Sequence, residues 1–319
     1  MSQPNKVIAV TGCLGFIGSH FTRACIRLGW HVWGIDKITY AANVSCLTEF
    51  EKSEFFKFTQ ADIADMEHIY DVDVIVNFAA ETHVDNSIMD SRNFIQTNVC
   101  GVENLLELIR SKRNYEMPLL VHISTDEVYG DIAEGLHGED SPLRPSNPYS
   151  AAKAAADMLI LGWHRTHDVP YVIIRPTNNY GSLQYPEKLI PKSVKYLTLG
   201  KPIPVHGDGS CRRNWLYVED TVAGILKVIE KGSRNTIYNL SGNCELPNLD
   251  VIRMIITHYF DRDMEDWKNY TKMNFIRMGE DIRYSLDDRK LRALGWQPVA
   301  VFEEKLKELV RYHKQHFCW

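Results

Sequence analysis

An α/β fold, a doubly wound parallel sheet with a smaller, partly interleaved C-terminal domain, is the architecture this sequence predicts. Three observations carry it. Strand-length apolar runs alternate with helix-length stretches through the first 177 residues, a glycine-punctuated turn follows the first run, and turn-rich segments break the alternation beyond Pro176. At 319 residues, 45% hydrophobic and 24% charged, the chain can bury a sizeable core in one large or two modest domains.

The strands are expected at residues 6–11, 31–36, 74–79, 119–124 and 171–175. Between them Val102, Leu105, Leu106 and Ile109 repeat at helical spacing, as do Ala152, Ala156 and Leu159. Both apolar faces are expected to pack on the sheet; the small residues at 151–156 also suit a helix-on-helix dimer seam. Segments 186–191, 201–209 and 241–248 are rich in turn residues and suggest a second region built partly from insertions.

A net charge of −5 with no long Lys/Arg run argues against a nucleic-acid or membrane-surface binder and points to a small-molecule partner. No apolar run approaches the ~18 residues of a membrane span. The first residues lack signal-peptide layout, so a cytoplasmic protein is expected. The seven cysteines (13, 25, 46, 100, 211, 244, 318) show no Cys-x-x-Cys and no His at ligand spacing. Neither a metal site nor a disulfide framework is indicated, and reduced thiols are expected.

Gly12-Cys13-Leu14-Gly15-Phe16-Ile17-Gly18 follows the strand Val7-Ile8-Ala9-Val10-Thr11 and opens a helix. Glycines alone punctuate many loops. In this context they permit a tight turn and close backbone approach, and the helix N-terminus would face a pyrophosphate. The second strand ends at Asp36, where a carboxylate can accept from both ribose hydroxyls and would repel a 2′-phosphate, favouring NAD over NADP. Lys37 works against that preference. A Rossmann-type NAD-binding domain is therefore expected over residues 1–177 plus about 212–240, with a second, smaller domain over 178–211 and 241–319.

Tyr149 and Lys153 lie four residues apart at the start of a helical pattern and share one face. An ammonium beside a phenol would lower its pKa and yield a base able to take a proton from a sugar hydroxyl. A lone Tyr-x-x-x-Lys is as readily a surface pair; it gains force behind a dinucleotide loop. Ser124-Thr125-Asp126-Glu127-Val128-Tyr129-Gly130 falls at the carboxyl end of an apolar strand, where ligands dock on such sheets. In isolation, Asp126-Glu127 would be a solvated acidic pair.

With these residues in hand, the chain closely resembles the extended short-chain dehydrogenase/reductases, and within them the nucleoside-diphosphoglucose 4,6-dehydratases. The resemblance runs through the glycine loop, Asp36-Lys37-Ile38-Thr39-Tyr40, Asp62-Ile63, Ala79-Ala80-Glu81-Thr82-His83-Val84-Asp85 and Thr97-Asn98. It continues in Asn178-Asn179-Tyr180-Gly181, Pro186-Glu187-Lys188-Leu189-Ile190-Pro191 and Trp215-Leu216-Tyr217-Val218-Glu219-Asp220. The resemblance implies a catalytic set of Thr125, Asp126, Glu127, Tyr149 and Lys153. Glu127 would be the base at carbon 5, Asp126 the acid at the departing carbon-6 hydroxyl, and Thr125 a hydrogen-bonding partner near carbon 4. It implies NAD contacts from Gly12, Gly15, Phe16, Ile17, Gly18, Asp36, Lys37, Thr39, Asp62, Ile63, Phe78, Ala79, Ala80, Thr82, Thr97 and Asn179, besides Tyr149 and Lys153. Substrate contacts would come from Thr82, Thr125, Asn178, Glu187, Lys188, Leu189, Arg213 and Asn239, and a homodimer is implied. A carbon-4 ketone acidifies the carbon-5 hydrogen, and the carbon-6 hydroxyl leaves only if protonated, so one carboxyl must be ionised and the other not.

The chain departs from the family wording at Cys13, Leu14, Asn214, Asn243, Met278 and Glu280. Cys13 and Leu14 sit between the essential glycines, where tighter packing is expected. The last three leave the nucleotide open between dTDP and UDP, with the wording at 36–40 and 215–220 favouring dTDP. A sugar-nucleotide 4-epimerase or decarboxylase is the alternative enzyme, against which Asp126-Glu127 speak. A non-catalytic NAD-binding regulator would be expected to have lost Tyr149 or Lys153.

Overall fold

The computed structural model describes residues 6–112 and 116–316. Elements run β1 (Val7–Thr11), α1 (Phe16–Arg27), β2 (His31–Asp36), α2 (Val44–Phe50), β3 (Phe56–Gln60), β4 (Val74–Asn77), α3 (Val84–Met89), α4 (Arg92–Ile95) and α5 (Gly101–Ser111). They continue as β5 (Leu119–Ile123), α6 (Pro148–His167), β6 (Tyr171–Pro176), β7 (Asn178–Tyr180), α7 (Leu189–Thr198), β8 (Ile203–His206), β9 (Arg212–Tyr217), α8 (Val218–Lys231) and β10 (Thr236–Leu240). The chain closes with β11 (Cys244–Pro247), α9 (Asn248–Phe260), β12 (Thr271–Phe275), α10 (Arg289–Arg292) and α11 (Phe302–Gln315).

Seven strands pair in the order β3-β2-β1-β4-β5-β6-β10, every ladder parallel. Alternate residues of each strand enter opposite cores. Ile8, Val10, Val76, Val121 and Ile174 pack with Phe21 of α1 and Ile225 of α8 on one face. Ala9, Ile75, Leu120 and Ile173 meet Val102, Leu106, Ala156 and Ile160 of α5 and α6 on the other. Burial on both sides explains why the central strands are continuous apolar runs. The order turns back between β1 and β4, and the crevice at such a switch point is where a parallel sheet binds ligands.

The sequence pattern misses β3 and β10 because both lie at sheet edges, where mixed exposure dilutes the apolar signal. Residues 78–79 leave the sheet rather than extending β4: Phe78 N still bonds Thr11 O, but Ala79 turns against Gly12. The turn-rich segments hold structure of their own. Residues 186–191 open α7, with Pro191 in its first turn, where a missing N–H costs nothing. Residues 201–209 contain β8 and 241–248 contain β11. A third core joins Tyr180, Ile190, Val194, Ile252, Ile256, Phe302 and Leu306 beneath this smaller lobe. The six described cysteines are free, while Cys318 and the first five residues lie outside the described chain.

Candidate active site

At the carboxyl edge of the sheet a cavity of about 420 Å³ opens between the lobes. Its floor is the glycine loop. Gly12 has φ +66°, and a Cβ there would stand 2.7 Å from Ala79 N; a Cβ on Gly18 would collide with the Gly12 carbonyl. Gly15 caps α1 without a side-chain bond, and no acid occupies the first turn, so its N–H groups keep their capacity for an anion. Cys13 and Leu14 are fully buried under the loop, the closer packing expected of them.

Asp36 fixes this loop from β2: Oδ2 accepts from Leu14 N at 3.0 Å and Oδ1 from Ile38 N at 2.8 Å. Burial nonetheless raises its pKa. Lys37 is engaged by the protein, donating to Thr97 Oγ1 at 2.8 Å with Glu81 and Asp62 carboxylates at 3.3 and 3.5 Å. Its charge is already matched, which removes the objection that it would welcome a 2′-phosphate. The cradle of glycines, bare helix N-terminus and Asp36 fit NAD.

The wall above the loop is built by β5 and α6. Asn147 caps α6 through a reciprocal capping box with Ser150, which sets Tyr149 and Lys153 in its first turns. Lys153 Nζ donates to Ile123 O at 2.7 Å and lies 3.2 Å from His122 Nε2. Burial draws its pKa down to about 8, opposed by Asp157. This corrects one expectation. Lys153 is tied to β5 rather than to the phenol, and Tyr149 is pushed up, first by burial and then by Glu127, with a hydrogen bond from Thr125 working the other way.

Thr125 bridges the acid group. Its hydroxyl donates to Asp126 Oδ1 at 3.2 Å and accepts from Glu127 N at 3.3 Å, capping the short turn Asp126–Tyr129. Asp126 is 2% exposed and its buried Oδ2 has no protein partner. Burial, with Glu127 adjacent, pushes its pKa up to about 8. Glu127 is half-buried and also raised, but Arg213 and Lys188 oppose the rise. The pair is thus split: Asp126 is held protonated near neutrality and Glu127 is the better site for negative charge.

Nearly all the residues named from sequence converge on this cavity: Gly12, Gly15, Phe16, Ile17, Gly18, Asp36, Lys37, Thr39, Asp62, Ile63, Phe78, Ala79, Ala80, Thr82, Thr97, Thr125, Asp126, Glu127, Tyr149, Lys153, Asn178, Asn179, Glu187, Lys188, Leu189 and Arg213. Asn239 is the exception and a correction. It is fully buried in β10, its amide bonded to Tyr129 Oη and to the carbonyls of His137 and Asp287, so it braces the fold and does not line the cavity. Arg213 is anchored through backbone carbonyls of 212, 281 and 282 and stacks 4.8 Å over Tyr284, leaving its charge available for a diphosphate. Lys188 donates to Thr82 O at 2.7 Å, Glu187 accepts from Tyr40 Oη at 3.0 Å, and Arg277 forks onto Asp85, so contacts cross the cleft from both lobes. Lys192, His206 and Asn248 also line the cavity. Sequence reasoning passed over them because they lie in segments that looked like turns or in helices begun by them.

A family model described as GDP-mannose 4,6 dehydratase matches residues 9–309. The dTDP-glucose 4,6-dehydratase of Haemophilus influenzae is 42% identical, covering 96% of this chain and 97% of the relative. The crystal structure of DesIV, a dTDP-glucose 4,6-dehydratase from Streptomyces venezuelae with NAD bound, superposes with a TM-score of 0.90 at 37% identity over 97% of both chains. More distant is a UDP-glucuronic acid 4-epimerase from Bacillus cereus, 26% identical with a TM-score of 0.88 over 97% of this chain and 99% of the other.

Folding raises the Asp126 pKa above its unfolded value of about 3.9, so its stabilising share is complete below that value and is lost as pH rises through about 8. Asparagine carries no such penalty. Asp126→Asn should therefore melt higher than the native chain by an amount that grows from about pH 5 to about pH 8, about 1–2 °C for each kcal/mol relieved. Thermal unfolding across that range checks it, and a difference independent of pH would contradict the burial argument.

Proposed function

Because the chain belongs to the GDP-mannose 4,6 dehydratase family, we propose that it is an NAD-dependent hydro-lyase that turns a nucleoside-diphosphoglucose, dTDP-glucose before UDP-glucose, into the 4-keto-6-deoxy sugar nucleotide. The observation that carries this reading is the buried, adjacent pair of Asp126 and Glu127 at the end of β5, in one cavity with Tyr149. An epimerase has no use for such a pair.

NAD, when bound, supplies the acceptance of a hydride from carbon 4 and its return to carbon 6. The chain's own residues move the protons. Tyr149 takes the proton of the carbon-4 hydroxyl, oriented by Thr125. Glu127 removes the carbon-5 hydrogen, and Asp126 gives its proton to the carbon-6 hydroxyl, which leaves as water. Glu127 then returns its proton to carbon 5. Over one turnover Tyr149 has gained a proton and Asp126 has lost one; Thr125, whose hydroxyl meets both side chains, stands where that proton must pass. Arg213, Lys188 and Glu187 hold diphosphate and sugar, while Asn178 offers a buried, unpaired Oδ1.

Residues 1–177 with about 212–240 hold the dinucleotide in this reading, supported by β10 joining the main sheet and α8 packing on α1; β9, which carries Arg213, pairs instead with β7 and β11 of the smaller lobe. Segments 178–211 and 241–319 hold the sugar nucleotide. A cytoplasmic location accords with a small-molecule substrate, and no helix among the described residues is long and apolar enough to cross a membrane. A homodimer through α6 is supported by Met158, 57% exposed on that helix, and by exposed Ile88, Met89 and Ile95 on α3 and α4 packed beside it.

Incubation with dTDP-glucose should give a ketone and a new methyl signal by NMR, with UDP-glucose slower; two unchanged substrates would refute the reading. Tyr149→Phe should lower kcat by about a hundredfold or more. Light scattering should give twice the chain mass, and Met158→Asp should shift the protein towards monomer; a native monomer would refute the dimer.

A further inference from the structure

Behind the cavity lies a row of polar side chains that the steps above leave unused. Thr11, Asn77 and His122 stand opposite one another in the register of β1, β4 and β5, on the sheet face covered by α5 and α6, and all three are buried. Thr11 Oγ1 is 2.5 Å from Asn77 Oδ1, Asn77 Nδ2 is 3.1 Å from His122 Nδ1, and His122 Nε2 is 3.2 Å from Lys153 Nζ. Thr11 directly precedes Gly12, and its hydroxyl accepts from Ala79 N at 3.4 Å. A continuous chain of bonds therefore runs from the glycine loop to the amine of Lys153.

A histidine in the middle of an apolar strand is costly unless both ring nitrogens are bonded. The groups facing the ring are Lys153 and Asp157 from α6 and Arg175 from β6; Asp157 is claimed by Arg175 at 2.9 Å and stays 3.9 Å from His122 Nε2. Burial and the two cations keep His122 below its ordinary pKa, so the ring is neutral. One nitrogen of a neutral ring donates and the other accepts. An ammonium has only donors, so a charged Lys153 requires a bare Nε2, a proton on Nδ1 and the Asn77 oxygen turned towards it. The Asn77 nitrogen facing Nδ1, as found, matches the uncharged amine. The row can satisfy Lys153 in either state by turning one amide, whereas a charged His122 would leave the ammonium without an acceptor there.

We propose that His122 is a positioning residue for Lys153, accepting from the ammonium through Nε2 when the Asn77 amide turns its oxygen to Nδ1 and its nitrogen to Thr11, and so fixing that ammonium against the cofactor loop. This rests on the reading in which Tyr149 and Lys153 serve the oxidation. Besides the three groups behind it, Lys153 shares its cavity with Tyr149, Asp126 and Glu127, and of these it is Tyr149 whose proton affinity governs the first step.

The test uses the NAD-loaded enzyme with His122→Leu, which removes the acceptor, and His122→Gln, which returns one. The Leu variant should lose about ten- to a hundredfold in kcat for dTDP-glucose with KM within about threefold. Its acidic limb of kcat should move up by about one pH unit, as Tyr149 loses the nearby positive charge. The Gln variant should recover the limb. An unmoved limb in the Leu variant, with or without lost activity, would make the role merely structural and overturn the proposal. Should the Leu variant fail to fold, ¹⁵N imidazole shifts of the native holoenzyme decide the matter: a proton on Nδ1 and a bare Nε2 near pH 7 are expected, and an imidazolium or an Nε2–H overturns it. A native enzyme inert towards both sugar nucleotides would count against the proposed function, and the tautomer measurement would still stand alone.

Discussion

Two carboxyl groups on consecutive residues, one buried and one half-buried, resist carrying charge together near neutral pH, and the rest of the site is arranged around that constraint. Asp126 lies inside the wall with one oxygen unpaired, while Glu127 leans towards the cations Arg213 and Lys188. Position alone thus separates an acid from a base. The elimination of water proposed for this site needs both at once, and adjacency on a tight turn supplies both to one cavity.

That turn is possible because β5 ends where the sheet's strands hand over to the cleft. Apart from His122 the residues of β5 are apolar and alternate into two cores up to Ile123, and Ser124 to Glu127 line the site. The same edge holds the glycine loop after β1, Asp36 at the end of β2 and Asn77 at the end of β4. Lys153 is held by a carbonyl of β5 rather than by Tyr149, so the rigid sheet, not the helix alone, sets where its charge sits. Thr11, Asn77 and His122, buried at this level, are matched across strands, and their cost is offset only while the register is kept.

Much of this was legible in the sequence, for physical reasons that also mark where reading stops. β1, β2, β4, β5 and β6 are buried on both faces and announce themselves as apolar runs, whereas the edge strands β3 and β10 do not. Tyr149 and Lys153 could be placed on one helical face from their spacing, yet the partner of Lys153 is 30 residues away and no local pattern reveals it. Asn239 looks like the other strand-end asparagines; only its neighbours Tyr129, His137 and Asp287 show that it is structural. His122 carried a signal of its own, a lone ionisable residue within an apolar strand, whose meaning depends on Asn77 and Lys153 arriving beside it.

The division of labour between Asp126 and Glu127 depends on the proton that Asp126 keeps at neutral pH. Labelling aspartate carboxyls with ¹³C in the NAD-loaded enzyme and assigning Asp126 by its loss in the Asn variant would follow that proton directly. The carboxyl signal should titrate near pH 8, far above the aspartates at the surface; a signal already that of the carboxylate at about pH 5 would contradict the division of labour between Asp126 and Glu127.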